Sequence, residues 1–267
     1  MEKNLKIYCV TNKIIPYLEE SKLLLAGVGK EKFNEKYISS SIKQNIFYKE
    51  KHYSELTFHY WYWKNLLLSE QNKWVGFCQK RRFWIKQDAQ NIKININNLK
   101  ENLLLYPEND WKNYDAIICK PISVAGAKKI KLIKKGWKNL IYKPSILFNK
   151  NNETIKLHFD MHHGFGNLDK AIDLLQEQDK DDFKKYVNTF NYYNPHIMFI
   201  ARPEVIDKWF SNLFSWLEKC ENVFGFNLQD YGKIRIYGFL AERFLPFWFN
   251  KYTKAIEWPL LFYDLKK

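Results

Sequence analysis

The chain has 267 residues, 46% hydrophobic and 18% aromatic, a composition that excludes a disordered chain and suffices for one large α/β domain or two small ones. Its net charge of +14 favours anionic partners such as nucleic acid, an anionic membrane face or a nucleoside diphosphate. We expect a cytoplasmic protein without a membrane span, because no run of about 18 uncharged apolar residues occurs and the first residues lack the apolar core of a signal peptide.

Lysine carries most of the positive charge, with 38 Lys against five Arg. Abundant Lys, Asn and Ile indicate a compositional bias of the source, so we do not expect nucleic acid as the partner. The charge can still bring the protein into peripheral contact with the inner membrane surface. The four cysteines stand apart from one another, mostly within apolar runs, as is typical of buried and reduced thiols.

The first residues of the chain predict a strand over residues 5–11, ending at Thr11. Gly27 and Gly29 follow a second apolar stretch. A G-x-G sequence without a third glycine or a following helix signal favours a turn over a phosphate-binding loop.

Residues 53–84 are the stretch around which the chain is organised. Ser54 and Glu55 predict the start of a helix with Ser54 as its N-cap, and the apolar residues that follow occupy nearly all sides of that helix, as in a buried one. After a turn at residues 70–73, residues 74–78 have the length and composition of a strand buried on both faces, as in a parallel sheet.

The sequence Gln79-Lys-Arg-Arg82 follows that strand directly. Ligands of open α/β sheets bind outside the carboxyl ends of the strands, so cations in this place can meet an anion, although a solvated basic turn is the alternative. Two of the five arginines, Arg81 and Arg82, are adjacent here in a chain that otherwise uses Lys. The planar, bidentate guanidinium therefore indicates a phosphate ligand.

The middle of the chain is less informative. Residues 86–113 predict a surface excursion with one amphipathic piece at residues 96–105, and residues 114–119 predict the next strand. Residues 122–152 contain many lysines and no acid. A mobile basic loop and a flap both fit them, but a solvated face is the simplest interpretation.

Residues 154–163 contain three histidines. If the stretch is extended, a period of two places His158, Asp160 and His162 on one face, where they can hold a divalent ion. We favour instead a contact of His163 with sugar or phosphate at a strand-to-helix junction, with Asn167 capping the next helix.

Asp179-Lys-Asp181 is the one D-x-D sequence of the chain. Such a sequence can hold a diphosphate through Mg²⁺ or Mn²⁺ when it follows a strand. Here it lies in a charged stretch between two predicted helices, so we interpret it as solvated. We therefore expect no cofactor, and Mg²⁺ or Mn²⁺ is not favoured.

The last third of the chain contains the candidate general base. Residues 196–201 predict a buried strand, Pro203 opens a long helix, and a last helix is predicted from about residue 229 to 249. Glu242 lies in an otherwise apolar part of that helix, where a carboxylate usually has a partner or a task. A structural pair with Arg235 or Arg243 is the alternative, and the base would then be Asp230 or His163.

The sequence resembles a family of bacterial polysaccharide-biosynthesis glycosyltransferases known as a domain of unknown function. The family signature ELTxxYWxWKN, followed by a strand ending in GxxHYRRxF, is matched by residues 55–57, 60–65, 76 and 81–83, and a later GFLSER element by residues 238–243. Gln79 and Lys80 stand where the family has His and Tyr, and Ile197 where it has Asn. The resemblance extends over about residues 5 to 260.

This resemblance implies a GT-A-like α/β fold, with a mostly parallel sheet flanked by helices and a C-terminal helical cap. It implies a single domain over residues 1–267, with a donor-binding half at about 1–121 and an acceptor half at about 122–267. The implied activity is metal-independent transfer of a sugar from a nucleotide-diphosphate sugar, first of all a UDP-sugar, to a growing capsular or lipooligosaccharide glycan or a lipid-linked glycan.

The expected roles divide into three groups. Catalysis is assigned to Glu242, Asp230 or His163. Donor binding is assigned to Thr11, Lys80, Arg81, Arg82, Arg235 and Arg243. Contacts with the acceptor or other groups are assigned to Trp61, Lys64, His158, Asn194 and His196. Two other hypotheses stay open, namely a non-catalytic module that binds nucleic acid or anionic glycan, and a degenerate transferase that keeps the fold without the activity.

Overall fold

The computed structural model describes residues 4–70 and 73–265. The strands in these ranges are β1 Leu5–Thr11, β2 Leu24–Gly27, β3 Tyr37–Ser39, β4 Trp74–Gln79, β5 Arg82–Trp84, β6 Ala116–Cys119, β7 Ile122–Ser123, β8 Tyr192–Tyr193, β9 Phe199–Ala201, β10 Ala255–Trp258 and β11 Leu260–Phe262. The α-helices are α1 Pro16–Glu19, α2 Glu50–Tyr53, α3 Leu56–Asn65, α4 Leu99–Asn102, α5 Lys129–Tyr142, α6 Ile155–His163, α7 Asn167–Ile172, α8 Glu177–Thr189, α9 Pro203–Phe224, α10 Tyr231–Ile234 and α11 Ile236–Tyr252. The predicted turn at residues 70–73 includes residues 71 and 72, which lie outside the described ranges.

The chain divides into two compact units. The first, here called the sheet unit, comprises residues 1–120, 196–211 and 248–267. The second, here called the helical unit, comprises residues 121–195 and 212–247. The single domain with halves at about residue 121 stays a prediction.

The sheet unit contains a sheet whose strands follow the order β10-β6-β9-β4-β1-β2-β3. Neighbouring strands pair in parallel except β9, which runs antiparallel to both β4 and β6. β5 folds back antiparallel onto β4, and β11 pairs with β5. The predicted α/β class with a mostly parallel sheet flanked by helices is therefore confirmed. After α11 the chain returns to this sheet through β10 and β11, two strands that the sequence analysis did not predict.

The apolar runs of the sequence form the inner strands of the sheet. β1 matches its predicted bounds, and β4 is buried from Trp74 to Cys78, as expected for a strand covered on both faces. Residues 86–113 do not merely cross the surface, because a set of their side chains is buried in the core of the sheet unit, namely Leu99, Leu103, Leu104 and Trp111.

Helix α3 packs an aromatic face against the sheet. The rings of Tyr62 and Tyr8 lie 5.1 Å apart, and the rings of Tyr62 and Phe77 lie 5.1 Å apart. The predicted N-cap is wrong: Ser54 has a φ of 52° and ends α2, while Glu55 occupies the cap position of α3 without a side-chain cap hydrogen bond. Burial of aromatic rings, rather than a capping hydroxyl, defines this helix.

In the helical unit, residues 129–142 form helix α5, whose lysines are exposed, within the stretch interpreted as a solvated face. Residues 155–163 form helix α6 instead of an extended strand. Thr154 caps α6 by accepting a hydrogen bond from Leu157 N. On a helix, Asp160 no longer shares a face with His158 and His162, so the proposed three-residue metal site is lost.

Three further expectations are corrected in the helical unit. The D-x-D sequence lies inside α8, and Asp179 is fully buried rather than solvated. The last predicted helix is broken at Arg235 into the short α10 and the long α11. Asn167 does not cap α7, since Gly166 is at the cap position and the Asn167 amide donates to the His163 carbonyl.

All four cysteines are buried, reduced thiols, as predicted. Burial raises the pKa of the Cys78 thiol, which also contacts Cys9 on the neighbouring strand, and raises the pKa of Cys220 to about 12. Among the helices of the described residues, none combines the length and apolar character needed to cross a bilayer.

Candidate functional site

In the sheet unit, three parallel strands end at the same edge of the sheet. Val10 of β1 pairs with Gln79 of β4, and Thr11 pairs with Gly27 of β2, so the carboxyl ends of these strands lie side by side. Backbone carbonyl and amide groups at such an edge are left unpaired by the sheet and can meet a ligand. We call Asn12, Glu55, Gln79, Lys80 and Arg82, which surround this edge, the strand-end cluster.

The predicted cationic exit from β4 is the tight turn of a β-hairpin. Gln79 pairs with Arg82 across the hairpin, which leaves Lys80 and Arg81 at its tip. The Gln79 amide donates to the Glu55 carboxylate at 2.6 Å, and its oxygen accepts from the Arg82 guanidinium at 3.1 Å. Gln79 therefore connects the end of β4 to a carboxylate of the α3 cap and to a cation of β5.

The three cations of the hairpin have different partners. Lys80 Nζ donates to Asn12 Oδ1, which ties the end of β4 to the residue after β1. Arg81 is exposed and forms an ion pair with Asp264 at 3.3 Å. Arg82 is half-buried, and its guanidinium carbon lies 5.5 Å from the centre of the Phe262 ring. The sequence neighbours Arg81 and Arg82 thus have contacts of their own, Arg81 with Asp264 and Arg82 with Gln79 and the Phe262 ring.

A cavity of about 310 Å³ adjoins the carboxyl end of β2 and is lined by Gly27, Gly29, Phe33, Tyr37 and Ser39, among others. Both glycines are needed for its shape. A Cβ on Gly27 would lie 2.4 Å from the Phe33 ring, and Gly29 has a φ of 86°, a conformation that L side chains rarely adopt.

The buried Thr11 hydroxyl shapes the turn after β1. It donates to the Lys13 carbonyl at 2.6 Å and accepts from the Lys13 amide. This use fixes the backbone around Asn12, which carries the hydrogen bond to Lys80. The structure thus gives Thr11 a positioning role beside the strand-end cluster, while its predicted contact with the donor stays a prediction.

The remaining predicted residues of the sheet unit lie in different settings. Trp61 is buried and its indole N–H donates to the Ile42 carbonyl, which indicates a structural role. Lys64 is exposed, with its ammonium 3.2 Å from the centre of the Trp63 ring. His196 is half-buried and has a positive φ of 68° at the start of the segment that leads to β9.

In the helical unit, a second cluster surrounds Arg243, whose side chain is only 2% exposed. Its guanidinium donates to Glu242 Oε2 at 2.6 Å and to His158 Nδ1 at 3.3 Å, and its central carbon lies 4.1 Å from the centre of the Tyr193 ring. Its Nε has no hydrogen-bond partner among the described residues. We call Arg243, Glu242, His158, Tyr193 and His163 the buried arginine cluster.

The two histidines of this cluster are held in opposite tautomers. Arginine can only donate, so His158 Nδ1 accepts and its proton lies on Nε2. His163 Nδ1 contacts the Gly232 carbonyl at 3.0 Å, so Nδ1 donates there and Nε2 carries the lone pair. Burial, together with the positive charge of Arg243, lowers the pKa of each histidine to about 3, and both are therefore neutral at pH 7.

The position of His163 depends on the close approach of Gly232. A Cβ at Gly232 would lie 2.1 Å from the His162 carbonyl oxygen, so only glycine allows this contact between backbones. The His163 ring also stacks on Phe239, with ring centres 3.9 Å apart. His163 is thus at the end of a helix, not at the strand-to-helix junction that the sequence suggested.

A smaller cavity of about 170 Å³ in the helical unit is lined by the loop at residues 123–127 and by Glu153, His158 and His162, among others. The buried Glu153 carboxylate accepts hydrogen bonds from Gly126 N at 2.8 Å and Ala127 N at 2.9 Å. It therefore holds the loop in place at the wall of the cavity.

The other predicted residues of the helical unit lie in different settings. Asp230 is exposed, has a φ of 66° and pairs with Lys233 at 3.5 Å. Arg235 donates to the Tyr231 hydroxyl at the break between α10 and α11. Asn194 is buried. Their assignments to catalysis, donor binding and acceptor contact, respectively, stay predictions.

Within residues 4–70 and 73–265, no group of three or more His, Cys, Asp or Glu side chains is placed to hold a metal ion. Asp160, one of the three ligands considered from the sequence, forms an ion pair with Lys156 at 2.8 Å and accepts from Gly166 N. His158 and His162 remain neighbours, with ring centres 4.7 Å apart. Metal independence itself stays a prediction.

Sequence reasoning missed three residues that the structure gives clear roles. Asn12 holds Lys80, Glu153 holds the loop of the small cavity, and Tyr193 covers Arg243. Asn12 directly follows a predicted strand and was within reach of the sequence argument. Glu153 and Tyr193 carried no such signal, because neither directly follows a predicted strand.

Comparison with known proteins agrees with this architecture. The model of a family described as a domain of unknown function, DUF4422, matches residues 6–254. Among solved structures, the apo structure of WbbM, a bifunctional glycosyltransferase, is similar with a TM-score of 0.75 and 22% sequence identity. That similarity covers 98% of this chain and 45% of the WbbM chain, and at this identity it shows a shared fold. No curated protein matches the sequence. Since the family model spans most of the sequence, the chain belongs to the DUF4422 family.

Proposed function

We propose that the chain is a glycosyltransferase that moves a sugar from a nucleoside-diphosphate sugar, first of all a UDP-sugar, to a hydroxyl of a growing capsular or lipooligosaccharide glycan. One observation carries the proposal. The carboxyl ends of β1, β2 and β4 meet at the strand-end cluster, beside a cavity of about 310 Å³. A cleft of this size at the ends of parallel strands is where α/β folds bind nucleotides. The likeness to a glycosyltransferase fold supports the same proposal.

In this proposal the strand-end cluster stabilises the leaving group. The acceptor hydroxyl oxygen forms a bond to the anomeric carbon, the bond from that carbon to the phosphate oxygen breaks, and the nucleoside diphosphate leaves with the electron pair. Lys80 and Arg82 are the cations held in place for the developing negative charge, by Asn12 and Gln79 respectively. Fixed donors of this kind stabilise a leaving anion without reorganisation during the reaction.

The proton of the acceptor hydroxyl needs a base, and Glu242 is the proposed one. Arg243 holds its Oε2 at 2.6 Å, which fixes the orientation of the carboxylate. The second candidate is His163, whose Nε2 has a lone pair because Nδ1 faces the Gly232 carbonyl. A pKa of about 3 makes His163 a weak base. Asp230 is disfavoured by its solvent exposure and its pairing with Lys233.

The donor-binding part of the proposal is tested by thermal unfolding with UDP and UDP-sugars, with and without EDTA. At a nucleotide concentration about 100 times the Kd, binding to the folded state contributes about 2.7 kcal/mol, and we expect the same rise in Tm in both conditions. Strict dependence on Mn²⁺ would contradict the metal-independent reaction. Stabilisation by any polyanion, with a steep loss in salt, would support a non-catalytic binding module instead.

The catalytic part is tested with Glu242→Gln, which keeps the shape of the side chain and removes its basicity. We expect turnover to fall by about 10²–10⁴-fold while the UDP-induced rise in Tm stays near that of the wild type. Glu177→Gln, at an exposed acid of the same unit, is the matched control and should leave turnover unchanged. A lower Tm with normal turnover per folded molecule would make Glu242 a structural partner of Arg243. Nucleotide binding by the wild type without any transfer would identify a degenerate transferase.

A further inference from the structure

Helix α5 is an amphipathic helix that buries only one of its faces in the helical unit. Leu132 and Gly136 are buried and pack with Leu157 and Met161 of α6. A Cβ on Gly136 would lie 3.3 Å from Met161 Cγ, so the two helices approach closely along this line. These contacts fix the rotation of α5 about its axis and determine which side chains it presents to solvent.

The solvent side of α5 carries an apolar stripe. Ile130, Ile133, Trp137 and Ile141 are exposed by 69%, 54%, 52% and 67%, and their spacing places them along one line of the helix. Nearby in the chain, Tyr142 and Phe148 are exposed by 80% and 84%. A contiguous apolar surface of this kind is unusual on a monomeric soluble protein and indicates an interaction site.

Lysines flank the apolar stripe. Successive residues of an α-helix are rotated by about 100° about its axis, which gives α5 three sides. The first is the buried face, the second is the apolar stripe, and the third carries Lys131, Lys134, Lys135 and Lys138. Residues 121–152 contain no Asp or Glu, and all eight of their lysines are exposed, namely Lys128, Lys129, Lys131, Lys134, Lys135, Lys138, Lys143 and Lys150. The stripe and its lysines are therefore complementary to a partner that has a negatively charged outer layer and an apolar layer below it.

We propose that α5 docks the helical unit on an anionic lipid bilayer, with the apolar stripe inserted at the level of the acyl-chain boundary and the lysine flank against the headgroups. Three observations fit this occupant together: isoleucines that can enter the apolar layer, Trp137 and Tyr142, whose ring types favour the interface, and a lysine flank without acids. The geometry is that of a helix lying in the plane of the membrane surface. This docking surface does not depend on the proposed transfer reaction.

The test is vesicle flotation with the full chain. We expect binding to phosphatidylcholine vesicles that contain about 30% phosphatidylglycerol and little binding to pure phosphatidylcholine. Ile133→Ser with Trp137→Ser should reduce the partition coefficient by about tenfold or more, because both the inserted apolar area and the interfacial ring are lost. The matched control is Tyr48→Ser with Leu68→Ser in the sheet unit, at exposed apolar side chains outside the proposed surface, and it should float as the wild type does.

A second measurement avoids any variant that folds poorly. Lipids brominated in the acyl chain quench tryptophan that enters the bilayer, so we expect partial quenching of the wild type with anionic vesicles. Trp137→Phe keeps an aromatic ring at the half-exposed site and should lose most of that quenching, although nine other tryptophans remain. Equal quenching in Trp137→Phe and the wild type would overturn the proposal.

Three flotation results would also overturn it. Absence of wild-type binding to anionic vesicles would do so directly. Binding that survives Ile133→Ser with Trp137→Ser but vanishes at about 0.5 M salt would show adsorption by charge alone. A wild-type dimer that dissociates on the same double substitution, without flotation, would identify the stripe as a contact between protein chains.

One further flotation result would support the membrane docking of α5. Flotation should be lost in Lys134→Gln with Lys138→Gln and retained in the control variant.

Discussion

Arg81 in the sheet unit and Arg243 in the helical unit are both paired with a carboxylate, in opposite environments. The Arg81 side chain is 44% exposed at a hairpin tip and lies 3.3 Å from Asp264, whereas Arg243 is 2% exposed and contacts Glu242, His158 and Tyr193. Water screens the first pair, so its partner can be exchanged for a ligand at little free-energy cost. The second cannot lose a partner without leaving a charge buried. Exposed cations therefore suit binding, and the buried one suits fixed geometry.

The largest expected effect tests whether Arg243 is a structural centre. Arg243→Ala leaves Glu242 and His158 without their cation, and breaking a buried pair of this kind lowers the free energy of unfolding by about 3–5 kcal/mol. Urea unfolding of the variant and the wild type measures the difference. Arg81→Ala is the matched control, for which a change of at most about 1 kcal/mol is expected. Similar losses for both variants would remove the distinction between the two environments.

The next effect is on the pH dependence of stability, and it compares one histidine of each unit. Burial lowers the pKa of His59 and of His163 from 6.5 to about 3. Below pH 6.5 these histidines become protonated in the unfolded chain but stay neutral in the folded chain. Their contribution to the free energy of unfolding is therefore fully present above pH 6.5 and is lost as the pH falls toward 3. Each histidine contributes a slope of at most about 1.4 kcal/mol per pH unit in this window.

His59→Leu and His163→Gln measure these two slopes separately. His59 lies among Phe77 and Phe210, so leucine fits its apolar surroundings, whereas glutamine can keep a hydrogen bond to the Gly232 carbonyl. Each variant should show a shallower fall in unfolding free energy between pH 6 and 4 than the wild type. Parallel curves for a variant and the wild type would contradict the neutral, buried state of that histidine.

The smallest effect is on nucleotide affinity at the hairpin. Arg82→Lys preserves the charge but loses the planar fork that contacts Gln79, so we expect UDP to bind about tenfold more weakly, a loss of about 1.4 kcal/mol. Arg81→Lys should change the Kd less, because Arg81 is not one of the two cations, Lys80 and Arg82, that the proposal assigns to the diphosphate. Calorimetric titration measures both. Full affinity in Arg82→Lys would reduce this arginine to surface charge.

The strands were predictable where burial alone determines them. β1 and β4 are short, mostly apolar runs, whose side chains are unfavourable in water and favour a strand that is buried on both faces. Their positions therefore followed from the sequence. α6 was mispredicted because its buried apolar residues alternate along the chain, at Ile155, Leu157, Phe159 and Met161. Over nine residues an alternation of this kind does not exclude a helix that is enclosed on several sides.

The residue types of the candidate site could be predicted from the sequence, but the partners of its side chains could not. Adjacent arginines after a strand pointed to an anion, but a tight hairpin sends neighbouring residues to different partners. The partner of Arg81 is Asp264, 183 positions away, and the partner of His158 is Arg243, 85 positions away. Contacts at that separation are set by the tertiary fold, and one sequence gives no local signal for them.

The four buried cysteines provide a built-in reporter of local opening. Cys9, Cys78 and Cys119 belong to three strands of the sheet unit, and Cys220 lies in the part of α9 assigned to the helical unit. An alkylating reagent reacts with a thiolate, so each side chain is protected until its surroundings open to water. Timed alkylation followed by peptide mass analysis can therefore measure, without any engineered label, whether the sheet and the helices open as one cooperative event or as two.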